Sequence, residues 1–282
     1  MKKRSAKAAA GSAPLFLGLD SSTQGLKASV VDKKCRPVFE AAINFDADLP
    51  AYQTKGGVHQ HPDGLTVTSP PLMWVEALDL LLARMQKDGL PLNRIAAVSG
   101  SGQQHGSVYL KPGTASVLKN LDPARPLAAQ LADVFAVADS PIWMDSSTTR
   151  QCRERDAALG GAQATAKLTG SRSYERFTGN QIARIYQEHP KRYQATERIA
   201  LVSSFMASLL IGDYAPIDPG DGAGMNLMDI RARRWAPKAL ACTAPGLAAK
   251  LGPIVPAHAD LGAISRYYVA RYGFSPQCRV IA

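Results

Sequence analysis

Asp20 is followed by Ser21-Ser22-Thr23-Gln24-Gly25 and sits between two apolar runs. Leu15-Phe16-Leu17-Gly18-Leu19 reads as a buried strand, and Leu26 to Asp32 reads as its hairpin partner. A carboxylate that ends one strand is thereby set beside a turn of hydroxyls, an amide and a glycine. Backbone N–H groups in such a turn can cradle phosphate oxygens, and an acid at the same spot can hold Mg²⁺ through its water shell. Gly25 lets the turn take a conformation that a Cβ would penalise. Ser22, Thr23 and Gln24 are thus candidates for phosphate contact and Asp20 for the metal; Lys27, on the second strand, either meets a phosphate or faces solvent. The same residue types fill ordinary turns, so the hairpin alone leaves a structural turn open.

Other candidates lie further along. Gln104 and His105 come after Gln103, past the short apolar strand Ile95-Ala96-Ala97-Val98, and loops at strand ends commonly bind ligands. An imidazole can donate to or accept from a ligand hydroxyl, although a lone histidine is more often structural. Arg176 lies in Tyr-Glu-Arg-Phe-Thr-Gly-Asn-Gln, where pairing with Glu175 at the surface would contribute little. Trp143 and Met144 offer an apolar wall, and Asp145 serves either ligand hydroxyls or a buried structural role. Asp221, in a loop rich in Gly and Asp (218–224), has the chemistry of a general base.

Gly-Leu-Asp-Ser-Ser-Thr-Gln-Gly-Leu-Lys (18–27) resembles the first phosphate motif of the actin, hexokinase and Hsp70 superfamily. Ser-Gly-Gln-Gln-His-Gly (101–106) resembles the sugar-contacting segment of the FGGY family of carbohydrate kinases. Segments 141–149, 170–182 and 214–226 are similar to the xylulokinase branch of that family, above all to the part that includes the animal enzymes. Five segments in the right order, spread from about Leu15 to Ala282, are far more specific than any one of them. The resemblance implies ATP-dependent phosphorylation of D-xylulose to D-xylulose 5-phosphate. It implies ATP and Mg²⁺ as cofactors, held by Asp20, Ser22, Thr23, Gln24 and Lys27, and a sugar site of Gln104, His105, Trp143, Asp145 and Arg176. One departure is Ser21-Ser22-Thr23-Gln24, where many bacterial relatives have Gly-Thr-Ser.

The resemblance also implies that the general base, an Asp in a Gly-Asp-Asn run, falls just past Ala282, together with the second phosphate motif and the adenosine site. No catalytic base is therefore expected within these residues; Asp221 is expected to tie down a loop beneath the site. The expected organisation is a basic flexible tail (1–14) and an N-terminal, sugar-binding kinase domain (15–282), with the C-terminal nucleotide-binding domain absent. A non-catalytic sugar-binding domain and a kinase of another ketopentose are the alternatives. An actin-like nucleotide switch is disfavoured by the sugar-side motifs at 101–106 and 170–182.

A chain of 282 residues is long enough to bury a sizeable core. No apolar run approaches the length of a membrane span, and no long apolar region follows the basic opening, which argues against a secretory signal. The formal charge is +10, of which Lys2, Lys3, Arg4 and Lys7 supply four and leave +6. Without a basic helix interleaved with aromatics, that charge reads as a solvated surface, not a nucleic-acid interface. Cys35, Cys152, Cys242 and Cys278 are far apart with no metal-ligand spacing, so reduced thiols in the cytoplasm are expected. His59 and His61 form a pair with no third metal ligand in view, inside a Gly- and Pro-rich stretch that reads as loop.

The elements that must position these groups are legible in outline. A third strand is predicted over Val38–Phe45, then an irregular segment from Asp46 to about Ser69. Ser69-Pro70-Pro71 reads as a cap with Pro at the first helical position, opening a helix with apolar residues at Leu72, Val75, Leu78, Leu82 and Met85. Ser107–Leu110 is expected to continue the sheet. Helices are predicted over Leu127–Phe135, Ser147–Leu159, Ala162–Leu168, Gln181–Gln187 and Arg198–Ile211, and Cys278–Ala282 reads as the opening of a strand. The expected fold is α/β: a ribonuclease-H-like domain with a mixed five-stranded sheet, flanking helices and helical insertions.

Overall fold

In a computed structural model, residues 13–282 are described. Residues 1–12, most of the expected basic tail, lie outside the described residues. Strands Leu15–Ser21, Gly25–Asp32 and Pro37–Asn44 form an antiparallel meander in which Leu15, Leu17, Leu19, Leu26, Ala28 and Val30 point inward. Ile95–Gly102 joins the first strand in parallel, Arg279–Ile281 joins it in turn, and Asp260–Ala263 adds an antiparallel edge. The sheet thus has six strands, not the expected five. The extra edge, Asp-Leu-Gly-Ala, is short and mostly exposed, with Gly262 at φ 127°, so no alternation announces it.

Two helices pack on the apolar face. Pro71–Lys87 buries Met73, Trp74, Leu78, Leu81, Leu82 and Met85 against the meander. Its N-cap is Pro70, not Ser69, whose hydroxyl instead donates to Gly57 O. Val202–Ile211 lies directly on the Ile95–Gly102 strand, and the Ser-Gly-Ser-Gly run at 99–102 explains how. The pleat turns both glycines to the helix; a Cβ on Gly100 would lie 2.9 Å from Met206 Cβ, and one on Gly102 2.6 Å from Val202 Cγ1. The opposite face of the sheet carries Phe16, Gly18, Asp20, Lys27, Ser29 and Ser101 and is largely exposed.

Two further expectations are corrected. Ser107–Leu110 does not continue the main sheet but pairs antiparallel with Arg198–Leu201. The predicted helix over Arg198–Ile211 is accordingly a strand followed by a helix, the turn being fixed where Val202 N donates to Gly106 O. An Arg-Ile-Ala-Leu run fits either period over so few residues. This small ribbon organises a second core of Tyr109, Ile182, Ile199, Leu227 and Leu240. Helices Thr149–Leu159, Ala162–Thr169 and Thr178–Glu188 stand close to expectation, whereas the Leu127 helix ends at Leu131. The irregular 46–69 segment contains a short ribbon, His59–Gln60 against Val67–Ser69, and the 218–224 loop is a short helix, Pro219–Gly224, capped by Asp218.

Gly25 is a point where geometry forbids a side chain, because a Cβ there would lie 2.3 Å from Ile43 O in the neighbouring strand. Gly25→Ala is expected to destabilise the fold by about 1–3 kcal/mol, as overpacking does, through separation of two strands. Urea denaturation of the variant checks this; an unchanged midpoint would mean the hairpin relaxes freely.

Candidate functional site

The phosphate-type turn is built as its residue types require. Asp20 ends its strand on the exposed face, with Lys27 and Ser101 directly opposite on the flanking strands, so the carboxylate and the ammonium share a face. Ser22 Oγ donates to Asp20 Oδ2 at 2.6 Å. The turn is braced from below: Asp46 accepts from Thr54 Oγ1 at 2.7 Å, Gly56 N at 2.6 Å and Gly57 N at 3.0 Å. Gly57, at φ 78°, lies so close to Thr23 that a Cβ would come 2.0 Å from its carbonyl oxygen. Gln24 is exposed and fixes the turn through its carbonyl, which accepts from Phe45 N at 3.0 Å. Lys27 is exposed.

Trp143 links this turn to a second group of candidates: its indole Nε1 donates to Thr23 Oγ1 at 2.9 Å. Arg176 stacks its guanidinium over Tyr174 at 4.9 Å and over Trp143 at 5.7 Å, so it is held by aromatic faces and not by Glu175. Trp143, Met144, Asp145, Tyr174, Glu175 and Arg176 line a cavity of about 260 Å³. Asp145 is 1% exposed and accepts from Val67 N, Ser147 N, Ser147 Oγ and Gln181 Nε2, with Arg184 at 3.8 Å. Its carboxylate is occupied by its own chain, which is the structural alternative weighed for it.

His105 takes φ 64°, a left-handed conformation unusual for a residue with a Cβ. Thr178 Oγ1 donates to its carbonyl at 3.1 Å, and its ring lies 5.0 Å from that of Phe177. Burial pushes the imidazole down to about 4, the nearby Arg176 charge adding to this and a hydrogen bond with the Gly224 backbone opposing it. At neutral pH the ring is therefore uncharged and able both to donate and to accept. Gln104 is exposed, whereas Gln103 is only 9% exposed with neither amide atom hydrogen-bonded among the described residues. Gln103 N also donates to Ser21 O, and the Ser21 hydroxyl is buried without a partner among the described residues. The sequence did not single out Gln103, because two adjacent glutamines at a strand end give no sign of which one turns inward.

Asp221 sits in the helix that carries Gly224 and accepts a hydrogen bond from Ser203 Oγ, at the start of the Val202–Ile211 helix. Burial raises its pKa to about 6, the Ser203 bond opposing and the Asp218 charge adding to the rise. The carboxylate thus ties the 218–224 segment to the helix behind His105. His59 and His61 are engaged elsewhere: His59 Nε2 meets Tyr52 O at 2.9 Å and its Nδ1 lies 3.4 Å from Asp139, while His61 Nε2 meets Thr68 Oγ1 at 2.9 Å. The four cysteines are free thiols, and among the described residues no helix is long and apolar enough to cross a membrane.

Residues 136–282 match the FGGY family of carbohydrate kinases, N-terminal domain. The chain is 54% identical to a xylulose kinase of Mus musculus over 266 residues, which is 94% of this chain and 48% of that protein. It is 53% identical to xylulose kinase 2 of Arabidopsis thaliana over 268 residues, which is 95% of this chain and 48% of the other. The chain thus spans about half the length of the curated relatives it matches. The crystal structure of a xylulose kinase from Rhodospirillum rubrum superposes with a TM-score of 0.75 at 17% identity, over 95% of this chain and 48% of that one. At that identity the likeness speaks for the fold, the α/β architecture of actin, hexokinase and Hsp70 expected from the phosphate motif.

The raised pKa of Asp221 has a signed consequence. Its folded-state value of about 6 exceeds the ordinary 3.8, so the folded chain binds the proton more tightly than the unfolded chain does. Stability from this group is complete below about pH 4 and is lost as pH rises through about 6, by up to about 3 kcal/mol at roughly 1.4 kcal/mol per pKa unit. Relative to Asp221→Asn, which keeps an acceptor for Ser203, the parent should lose stability across this window and then level off. Denaturation at several pH values checks it; parallel curves for parent and variant would assign Asp221 an ordinary ionisation.

Proposed function

The chain belongs to the FGGY family of carbohydrate kinases, and from that premise we propose that it is the sugar-binding half of an enzyme that phosphorylates D-xylulose with ATP, in the cytosol. The proposal extends the sugar-binding domain over residues 15–282 and leaves the adenosine site and the general base to residues outside them. The observation that carries it is the Trp143 Nε1–Thr23 Oγ1 hydrogen bond, which joins a phosphate-type turn to the wall of a cavity bearing Arg176. Donor and acceptor sides of a phosphoryl transfer need that proximity, because such catalysis is largely positioning and charge stabilisation.

In this reading His105 and Arg176 hold sugar hydroxyls, the neutral imidazole exchanging donor and acceptor roles and the guanidinium acting as donor only. Trp143 supports the Arg176 guanidinium and closes one side of the cleft against water. Gln103, buried and unpartnered, is a further donor and acceptor for the same ligand; exposed Gln104 lies at the rim. Asp145 is given no sugar contact, since its lone pairs are already taken. Asp221 is given no proton-transfer role, since it is spent on Ser203. The turn residues fit a magnesium–triphosphate: Asp20 Oδ1 is free of hydrogen bonds among the described residues, suits a metal's water shell, and has Lys27 opposite it. Ser22, Thr23 and Gln24 present the turn to the phosphates. When bound, the metal offsets charge on the phosphates and orients them.

Two outcomes test this. His105→Ala and Arg176→Ala should each weaken D-xylulose binding to the chain about ten-fold or more, a loss of roughly 1–3 kcal/mol per hydrogen bond in a sequestered site. Calorimetry reads this directly, and wild-type affinity in both variants would place the sugar elsewhere. In the protein that contains this chain, Asp20→Ala should lower kcat for ADP release far more than it raises the KM for D-xylulose. An unchanged kcat at saturating ATP and Mg²⁺ would reduce the hairpin to a structural turn.

A further inference from the structure

Trp143 touches both halves of the cleft, and its two contacts use different parts of the indole. The Nε1–H reaches Thr23 Oγ1 at 2.9 Å, between residues 120 apart in sequence. The ring face lies 5.7 Å from the Arg176 guanidinium carbon. The backbone around Trp143 is fixed by short-range bonds: Ile142 N donates to Val67 O, Asp145 N donates to Ile142 O, and the Asp145 carboxylate accepts from Val67 N. The residues before it, Ser140 and Pro141, pair with Ser69 and Thr68.

Thr23 is gripped by the same ribbon at a second point. Gly57 packs so closely on the Thr23 carbonyl that no Cβ fits there. Gly57 is itself pinned, its N–H donating to Asp46 Oδ1 and its carbonyl accepting from Ser69 Oγ. The Thr23 backbone therefore cannot shift toward the ribbon, and what the indole governs is the Thr23 hydroxyl. That oxygen accepts from the indole and gives its own proton to no acceptor among the described residues. A hydroxyl that accepts one hydrogen bond is polarised into a better donor for the next. On the other side, Arg176 makes no hydrogen bond or ion pair among the described residues and rests on Trp143 and Tyr174. Trp143 is 37% exposed, so water competes for its N–H, and whatever steadies the ring strengthens the bond to Thr23.

We infer that Trp143 is a positioning residue that couples the two substrates: a sugar held on Arg176 steadies the indole, and the indole then aims the Thr23 hydroxyl proton at a phosphate oxygen. The inference rests on the function proposed above and adds to it the side chain through which sugar and triphosphate strengthen each other's binding. Such coupling is reciprocal. Because it passes through one hydrogen bond, it is limited to about three- to ten-fold in affinity.

Calorimetry on the protein that contains this chain tests it, with D-xylulose titrated alone and then at saturating Mg²⁺ and the non-hydrolysable ATP analogue AMP-PNP. The parent should bind D-xylulose about three- to ten-fold more tightly with the nucleotide present. Trp143→Phe keeps an aromatic face beside Arg176 but has no N–H; Thr23→Val keeps the shape of the turn but has no acceptor. Each should bind D-xylulose alone within about two-fold of the parent and lose the gain from the nucleotide. Thr23→Ser should keep the gain, and the double variant should lose no more than either single one. The inference is overturned if the parent shows no gain, if either single variant keeps it, if the two losses add, or if Trp143→Phe weakens D-xylulose as much without the nucleotide. In all of these the parent binds D-xylulose. No D-xylulose heat in the parent would instead overturn the proposed function, and this inference with it.

Discussion

A buried positive charge with no ion-pair partner among the described residues organises the second core. Arg155 is 1% exposed, and its guanidinium donates to Thr243 Oγ1, Asn180 Oδ1, Asn226 Oδ1 and Asn226 O. Isolated charge in a low-dielectric interior is very unfavourable unless dipoles surround it, so these four partners are fixed in place by the need to solvate it. Asn226 complies by adopting φ 61° and passes the constraint on, donating to Thr169 Oγ1 and Ser171 O. Gly179 is required for the same reason: a Cβ there would lie 3.1 Å from the guanidinium carbon. Helices Thr149–Leu159 and Thr178–Glu188 and the 240s turn are thereby locked around one side chain.

From Arg155 the constraint reaches the cleft through the first turn of Thr178–Glu188. Thr178 Oγ1 fixes the carbonyl of His105; Asn180 Nδ2 donates to Tyr174 O; Gln181 Nε2 donates to Asp145 and to Glu175 O. Three residues of one helical turn therefore set the backbone just before Arg176, the strained residue His105, and the acid behind Trp143. This is rigid-element support of the kind that keeps ligand groups within tolerance. The aromatic stack under Arg176 then only has to choose the angle of a side chain whose origin is already fixed.

Much of this was legible in the sequence, and the gaps have physical causes. The phosphate hairpin was, because an apolar run, an acid, a hydroxyl turn and a second apolar run form a local pattern. The body of helix Thr178–Glu188 was legible over 181–187, but not its first turn, because Thr178 and Gly179 are weak helix formers. The parallel pairing of Arg279–Ile281 and the antiparallel edge Asp260–Ala263 were not, because strands of three or four residues carry too little alternation. Nor was the ribbon Ser107–Leu110 with Arg198–Leu201, since its partners are some ninety residues apart and each is short enough to read as part of its neighbour. Asp145 and Gln103 show the same limit for the site: the residue type offers two roles, and only burial and available partners choose between them.

The charges in the cleft are segregated, and the segregation matches the chemistry each part would serve. Asp20 and Lys27 lie together on the open face of the sheet, where solvent and a metal's water shell can reach them. His105 and Arg176 lie together across the Trp143–Thr23 contact, close enough that the guanidinium helps keep the imidazole uncharged. Two adjacent cations there would favour an anion. One cation beside a neutral ring that both donates and accepts instead favours an uncharged polyol, whose hydroxyls are themselves donors and acceptors. Burial is what keeps His105 neutral, and that burial follows from the Phe177 ring and the Gly224 backbone packed on it. The uncharged state of His105 thus rests on the packing that Asp221 and the Thr178 turn maintain, and not on the identity of His105 alone.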